Sequence, residues 1–151
     1  VKINGESVEL GTNIKKGYLY LTRNWNSGDV IELRFDMPVR KVFANSQVRA
    51  DAGCVALVRG PIVYCFEGAD NGGNLQSLRI PKELNAETYL CEEGILKGNV
   101  CIHVDGCRMQ SSESLYSEER PTRQPETLTA IPYYAWANRG ENQMRVWMLE
   151  E

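Results

Sequence analysis

Apolar and polar residues alternate along much of the chain, which is the pattern of β-strands with one buried face. In DVIELRFDM every second residue from Ile31 to Met37 is apolar, and the residues between them are charged. The preceding run GYLYLTRNW is also rich in β-forming residues, and the NSGD sequence between the two supplies turn-forming residues. The pattern predicts a β-hairpin over residues 17–37 whose second strand is half-buried.

The next segment, CVALVRGPIVYCFEG, contains two apolar runs separated by Gly60 and Pro61. Because proline cannot donate a hydrogen bond to a central strand ladder, we expect a bend or strand end there, with the flanking runs buried on both faces. Short β-rich segments then recur between Gly and Pro residues, at the spacing of an all-β sandwich or barrel. The polar residues 110–126 include two prolines and predict a long loop, with one helical turn near residues 114–119.

The last part of the chain, TLTAIPYYAWANRG followed by NQMRVWML, is again β-rich. We expect a closing pair of strands joined through residues 138–142. The fold class is therefore predicted to be all-β, an antiparallel β-sandwich of jelly-roll type with eight to ten strands. A chain of 151 residues is long enough to form a single β-sandwich region. Alternatively it forms two sub-lobes, one from residues 1–44 plus 129–151 and the other from residues 45–128.

Composition narrows the range of partners. With 17 Lys plus Arg against 20 Asp plus Glu, the net charge is −3, and no basic stripe is available to neutralise nucleic-acid phosphates. No apolar run approaches the roughly 20 residues of a membrane helix. We therefore expect neither nucleic acid nor a membrane as a partner. The odd number of cysteines, five, without a C-x-x-C pair argues against a secreted disulfide framework and favours a reducing compartment, with a cytoplasmic location expected.

The single histidine of the chain lies in the sequence CIHVDGC. Cys101, His103, Asp105 and Cys107 alternate there and are all metal-ligand types, but residues two apart on a strand lie roughly 6.5 Å from each other, too far for four to converge on one zinc ion. A bend at Gly106 would be needed. The preferred interpretation is a strand with alternating faces and no metal, and no third group accompanies the cysteine and histidine to form a nucleophilic site.

Paired carboxylates are the other candidates for catalysis. They occur as Glu92-Glu93, Glu118-Glu119 and Glu67 with Asp70. Glycosidic cleavage needs two carboxyl groups facing each other, whereas adjacent residues on a strand point to opposite faces. No catalytic residue is assigned in this chain.

Tryptophan and tyrosine are dense near the end of the chain, in IPYYAWANRGENQMRVWM. Flat rings can stack on sugars, and the candidates for carbohydrate binding are Trp25, Tyr134 and Trp136. The alternative, which we prefer, is that the rings pack inward in the core or against another domain. In that case we expect a turn at Arg139 and Gly140, with the arginine held by a carboxylate or by carbonyl groups. Arg139, Gly140 and Trp147 are the residues expected to have a structural or interdomain role.

Three stretches together resemble the carboxyl-terminal part of the glycoside hydrolase family typified by bacterial β-L-arabinofuranosidase, family 127. They are GYLYLTRNWNSGDVIELRFDMPVR (17–40), VRADAGCVALVRGPIVYCFEGADN (48–71) and IPYYAWANRGENQMRVWM (131–148). In that family an amino-terminal (α/α)6 barrel carries catalysis, and β-sandwich domains follow it. The resemblance implies that this chain is the sandwich region and that the barrel lies upstream.

The family's catalytic apparatus is a cysteine nucleophile in a zinc site of three cysteines and a glutamate, with a glutamate acid/base, all on the barrel. None of those motifs matches a position here, so none of the five cysteines inherits a role. The resemblance implies a zinc-dependent parent that releases L-arabinofuranose with retention, and a chain that alone has no cofactor and no activity. Its expected partner is its own catalytic barrel, and a homodimer is left open. The alternatives are a carbohydrate-binding module and a small metalloprotein built on Cys101 and His103.

Overall fold

The computed structural model describes all 151 residues and groups them into two compact units, Val1–Asp36 and Met37–Glu151. This division differs from the two sub-lobes considered from the sequence. Residues 129–151 pair with strands formed by residues 54–67, so they belong to the same unit as residues 45–128. No helix in either unit is long and apolar enough to cross a membrane.

The first unit consists of short strands. Its elements are β1 (Lys2–Ile3), β2 (Glu6–Ser7), a 3-10 helix (Gly11–Asn13), β3 (Ile14–Lys15), β4 (Tyr18–Leu19) and β5 (Ile31–Glu32). Strand β1 pairs with both β2 and β5, and β3 pairs with β4. The predicted hairpin over residues 17–37 is therefore wrong, because β4 and β5 pair with other strands.

Two local features explain this pairing. Lys16 and Gly17 have φ angles of 51° and 82°, the left-handed pair that a tight two-residue hairpin turn requires, and they join β3 to β4. The Asn4 side chain accepts a hydrogen bond from the Val30 amide at 2.8 Å and so holds β5 beside β1. Strand β5 ends at Glu32, and Phe35, which the alternation placed on a buried face, is 76% exposed.

The second unit contains the longer strands and four short helical segments. Its strands are β6 (Val39–Phe43), β7 (Cys54–Arg59), β8 (Ile62–Glu67), β9 (Leu78–Arg79), β10 (Ala86–Leu90), β11 (Val100–Gln110), β12 (Thr122–Pro132), β13 (Met144–Arg145) and β14 (Met148–Leu149). The helix α1 is Gly68–Asn71, and the 3-10 helices are Arg49–Asp51, Leu75–Ser77 and Tyr133–Ala135. The chain has 14 strands in all, more than the expected eight to ten, because eight of them have two residues.

The strands of the second unit close into a ring. Antiparallel pairing runs from β11 through β12, β8 and β7 to β14, and β9 pairs with β11. Ile80, directly after β9, forms a parallel bridge with Glu150, and its amide donates to the Leu149 carbonyl at 2.9 Å. The fold is all-β and sandwich-like, as predicted. The break at Gly60 and Pro61 is also confirmed, since these residues form the turn between β7 and β8.

Alternating side chains of the ring strands fill two cores. One face contributes the enclosed core, which contains Val55, Leu57, Tyr64, Phe66, Leu75, Leu78, Ile80, Ile102, Val104, Leu128, Ala130 and Met148. The opposite face of β8, β11 and β12 contributes Cys65, Cys101 and Ile131 to a second cluster. Strands buried on both faces read as continuous apolar runs, which is the pattern of β7 and β8.

Two expectations for the later part of the chain are wrong. Strand β12 begins at Thr122, so the loop between β11 and β12 is shorter than residues 110–126, and residues 114–119 form no helical turn. Pro125 is tolerated in β12 because β8 pairs only with residues 130–132, which leaves β12 an edge strand at the proline. The two closing runs do not pair with each other. Strand β12 of the first run pairs with β11 and β8, while β13 and β14 of the second run pair with β8 and β7.

Candidate functional site

The segment after β12 turns sharply and is held in place by a partly buried ion-pair cluster, which we call the Arg139 clasp and which consists of Arg139, Glu67 and Asp70. Glu67 is the last residue of β8, and Asp70 lies in α1 directly after it. Arg139 donates from Nε to Glu67 Oε2 at 3.0 Å and from Nη1 to Asp70 Oδ1 at 2.6 Å. Arg139 was expected to bind a carboxylate or carbonyl groups, and it binds two carboxylates. Gly140, with φ of 86°, permits the turn next to it.

Burial makes the clasp energetically important. Glu67 is 1% exposed, while the side chains of Arg139 and Asp70 are each 18% exposed. The hydrogen bonds and charges of Asp70 and Glu67 raise the pKa of the Arg139 guanidinium above its usual value, against the opposing effect of burial. The carboxylate charge of Glu67 is tolerated at this depth only because it is paired with Arg139 and hydrogen-bonded.

The second Glu67 oxygen fixes the backbone of the turn. Glu67 Oε1 accepts a hydrogen bond from the Ala137 amide at 2.9 Å. Ala137 has φ of 65°, a left-handed conformation that costs a non-glycine residue roughly 1 kcal/mol or more. The buried Asn71 side chain donates to the carbonyls of Glu67 and Thr129, both at 2.9 Å, and so ties β8 to β12 beside the clasp. The turn is therefore held rigidly although it lies at the surface.

This rigid turn presents aromatic side chains to solvent. Tyr133, Tyr134 and Trp136 are 44%, 65% and 38% exposed, so the expectation that these rings pack inward is wrong. They are exposed because the 3-10 helix Tyr133–Ala135 buries Ala135 and directs its neighbours outward. The Tyr134 hydroxyl donates to Asn99 Oδ1 at 2.9 Å, which links this aromatic segment, residues 133–136, to the β10–β11 hairpin.

The aromatic segment borders a small open cavity of about 300 Å³, to which Trp136, Asn142 and Glu67 all contribute. The ring centroids of Tyr133 and Trp136 lie 6.2 Å apart with a tilt of 32° between the ring planes. Flat stacking on a sugar would favour two coplanar exposed rings, and the tilt does not provide them.

The other predicted site residues lie elsewhere. Trp25 belongs to the first unit, where the Arg23 guanidinium lies 5.2 Å from its ring centroid in a cation–π contact. Trp147 is half-buried between β13 and β14, and its carbonyl accepts a hydrogen bond from Arg145 Nε at 3.1 Å. Of the proposed carbohydrate-binding residues, the structure brings together Tyr134 and Trp136 in one segment.

The alternating residues of β11 do not fit a metal. Cys101 is buried in the second cluster, the His103 ring contacts the Tyr89 ring at 4.2 Å, and Cys107 donates to Glu151 Oε1 at 2.9 Å. No three His, Cys, Asp or Glu side chains in the structure are placed to hold one ion. Gly106 does not bend the strand, since β11 pairs with β12 in unbroken register from Ile102 to Gln110.

The sequence signals for the clasp were present but separate. The sequence indicated both the carboxylate pair Glu67 and Asp70 and the turn at Arg139, but only the folded structure shows that these residues are in contact. The roles of Asn71 and Asn99 carried no signal, because single asparagines are frequent in loops. The dipeptides Glu92-Glu93 and Glu118-Glu119 are solvent-exposed, as expected of turn residues.

Comparison with known proteins gives consistent results. The family described as "Glycoside hydrolase family 127 C-terminal domain" matches residues 39–149, and "Beta-L-arabinofuranosidase, GH127 middle domain" matches residues 1–37. The boundary between the two matches agrees with the division of the structure after Asp36. The non-reducing end β-L-arabinofuranosidase of Bifidobacterium longum subsp. longum is 39% identical over 143 residues, which cover 89% of this chain and 21% of that protein.

Solved structures show the same similarity. A GH127 β-L-arabinofuranosidase from Geobacillus stearothermophilus T6 superposes with a TM-score of 0.87 at 45% identity, over 99% of this chain and 24% of the other. A second GH127 β-arabinofuranosidase gives a TM-score of 0.86 at 39% identity, over 99% of this chain and 23% of the other. The chain thus spans less than a quarter of the length of these relatives. It belongs to glycoside hydrolase family 127, with the family's C-terminal domain at residues 39–149 and a middle-domain segment at residues 1–37.

Proposed function

We propose that this chain is a non-catalytic accessory region of a bacterial, retaining β-L-arabinofuranosidase and that its aromatic segment docks onto the catalytic barrel of the parent enzyme. The observation that carries the proposal is the combination of rigidity and exposure at one turn. The Arg139 clasp holds residues 133–142 from inside the fold, while Tyr133, Tyr134 and Trp136 face outward.

Such a surface suits a permanent protein interface. Tyrosine and tryptophan are the residues most enriched among interface hot spots, because they bury a large area at small entropic cost. Here the clasp has already ordered their backbone, which reduces the entropy lost on docking. The adjoining cavity, to which Glu141 and Asn142 contribute, adds hydrogen-bonding groups beside the surface.

The charges near this surface favour a structural role over catalysis. Two carboxylates converge at Glu67 and Asp70, but both are held in ion pairs with Arg139. Glycosidic cleavage needs two carboxyl groups free to face the scissile bond, whereas every carboxylate oxygen of Glu67 and Asp70 already accepts a hydrogen bond from Arg139 or the Ala137 amide. The zinc site and the nucleophile that the family resemblance implies would then belong to the catalytic barrel of the parent.

The proposal predicts that the parent enzyme depends on Tyr134 and Trp136 for stability and not for chemistry. In the full-length enzyme, Tyr134→Ala combined with Trp136→Ala should leave kcat/KM on an aryl β-L-arabinofuranoside unchanged at 25 °C and shorten the half-life of activity at elevated temperature. A loss of about 2 kcal/mol of interface energy corresponds to a roughly 30-fold change in the docking equilibrium.

Tyr116 supplies a matched control, because it is a tyrosine in the β11–β12 loop and is 93% exposed. Tyr116→Ala should leave the half-life of activity unchanged. Equal half-lives for the unaltered full-length enzyme and its double variant would show that the aromatic segment is not an interface. Turnover by the 151-residue chain itself, abolished in one of its carboxylate or cysteine variants, would contradict the non-catalytic role.

A second candidate function is carbohydrate binding by the same segment, which the exposure of Tyr134 and Trp136 and the cavity beside Trp136 favour. Calorimetric titration of the 151-residue chain with arabinose oligosaccharides distinguishes the two functions. For a docking surface we expect no saturable heat. Saturable heat that disappears in Trp136→Ala would favour the binding module, and heat that persists in this variant would place binding elsewhere.

A further inference from the structure

Two cysteines of the second unit lie unusually close together. The Sγ atoms of Cys91 and Cys101 are 2.7 Å apart, although both are free thiols. Hydrogen bonds involving sulfur ordinarily reach well beyond 3 Å, while a disulfide bond is about 2.05 Å long. The two sulfur atoms are thus closer than thiols normally approach and require a small movement to bond.

The β10–β11 hairpin explains why they meet. Tyr89 lies opposite Cys101 in the register, so Cys91, two residues further on, points to the same face. The Cys91 amide donates to the Asn99 carbonyl, and the Gly98 amide donates to the Cys91 carbonyl, both at 2.8 Å. Two residues therefore oppose one, and Gly98 has φ of 84°, which is the pattern of a G1 β-bulge. A bulge increases the local twist and turns the Cys91 side chain toward Cys101.

The surroundings allow one sulfur to react and the other to resolve the product. Cys91 is partly exposed, whereas Cys101 is fully buried beside Tyr89, Leu96 and Ile131. Burial, with a further contribution from Cys91, raises the pKa of the Cys101 thiol to about 12. An oxidant in solution therefore meets Cys91 first, and Cys101 waits as the neighbouring thiol.

We propose that Cys91 and Cys101 form a reversible cross-strand disulfide when the protein meets a low-molecular-weight disulfide such as oxidised glutathione. The Cys91 thiolate attacks one sulfur of the oxidant, which forms a mixed disulfide and releases one thiol. Cys101 then attacks the Cys91 sulfur, and its proton passes to the departing thiolate, which leaves as the second thiol. Two protein thiols are oxidised, and one disulfide is reduced to two thiols.

The cross-link would stiffen the hairpin tip that contacts the aromatic segment. Asn99 and Val100 lie between the two cysteines, and they accept the hydroxyl hydrogen bonds of Tyr134 and Tyr64 at 2.9 and 2.8 Å. A disulfide here fixes the strand ends that carry both acceptors. Oxidation is therefore placed to change the rigidity of the surface around Tyr134.

The disulfide can be assigned by peptide mapping. The 151-residue chain is incubated with oxidised glutathione at pH 8, alkylated with iodoacetamide and digested with trypsin without reduction. Cleavage after Lys97 places Cys91 in peptide 83–97 and Cys101 with Cys107 in peptide 98–108. We expect these two peptides to be linked, with fragment spectra that assign the link to Cys101 and show Cys107 alkylated or free.

Stability gives the second measurement. The oxidised chain should melt about 5 °C or more above the reduced chain, and a thiol reductant should abolish the difference. In Cys91→Ala, which changes the partly exposed partner, both the cross-link and the shift should disappear. Cys54→Ala, at a buried cysteine of β7, should retain both. Separate recovery of the two peptides after oxidation, or a link through Cys107, would overturn the proposal.

Discussion

Replacement of Arg139 by methionine should lower the free energy of unfolding by about 3 to 5 kcal/mol, because it leaves the buried Glu67 carboxylate without its partner. Methionine retains much of the apolar stem of the arginine, so the change mainly removes the charge and its donors. The Ala137 amide remains the one other donor to the Glu67 carboxylate in the clasp. Urea denaturation of the 151-residue chain at pH 7 measures the difference.

Two further variants separate the buried charge from general damage to the turn. Asp70→Asn removes the more exposed carboxylate and leaves Glu67 paired, so it should cost only about 1 kcal/mol. Glu67→Gln combined with Arg139→Met should be more stable than Arg139→Met alone, because no uncompensated charge stays buried. A double variant no more stable than the single one would show that shape, not charge, governs this site.

The second large effect is expected at Gly106 in β11. A Cβ atom at this position would lie 2.5 Å from Leu128 Cδ1 and 2.7 Å from the Arg79 carbonyl oxygen. The leucine could shift, but the carbonyl belongs to the backbone of β9, which pairs with β11 at that point. Gly106→Ala should therefore destabilise the chain by about 2 to 3 kcal/mol, through overpacking between two paired strands.

Gly73→Ala is the matched control, since a Cβ at Gly73 would meet no atom within 4 Å and its φ is not left-handed. Its free energy of unfolding should be equal to or slightly above that of the unaltered chain. Thermal or urea unfolding of both variants measures the contrast. An unchanged stability in Gly106→Ala would mean that β9 moves away from β11 at little cost.

Local sequence signals predicted the parts of the fold that depend on near neighbours. The turn at Gly60 and Pro61 was visible because a two-residue break between apolar runs determines the β7–β8 hairpin by itself. The hairpin predicted over residues 17–37 was wrong because pairing was decided at a distance. Strand β5 pairs with β1, and the side chain that holds them together is Asn4, which lies 26 residues before its partner Val30.

Prediction of the candidate site from the sequence was limited in the same way, because its contacts join distant residues. Gly140 and the turn at Arg139 could be predicted from residue types, but the partners Glu67 and Asp70 lie 72 and 69 residues away. Their meeting depends on the end of β8 and the turn after β12 lying side by side, which periodicity cannot indicate. The exposure of Tyr134 was missed for a related reason, since aromatic residues in a β-rich run are more often buried. The cysteine pair could have been predicted, because the glycine-rich hairpin between Cys91 and Cys101 is local.

The closed ring of strands has a kinetic consequence. Its closure brings Ile80 to Glu150, and the Lys41 ammonium binds the Glu150 carboxylate across 109 residues of sequence. Chains dominated by such distant contacts fold slowly, on a scale of about milliseconds to seconds, because loop entropy is lost before the contacts form. Until β14 docks, β7 and β9 present open strand edges, so ring closure also removes edges that could otherwise pair with another chain.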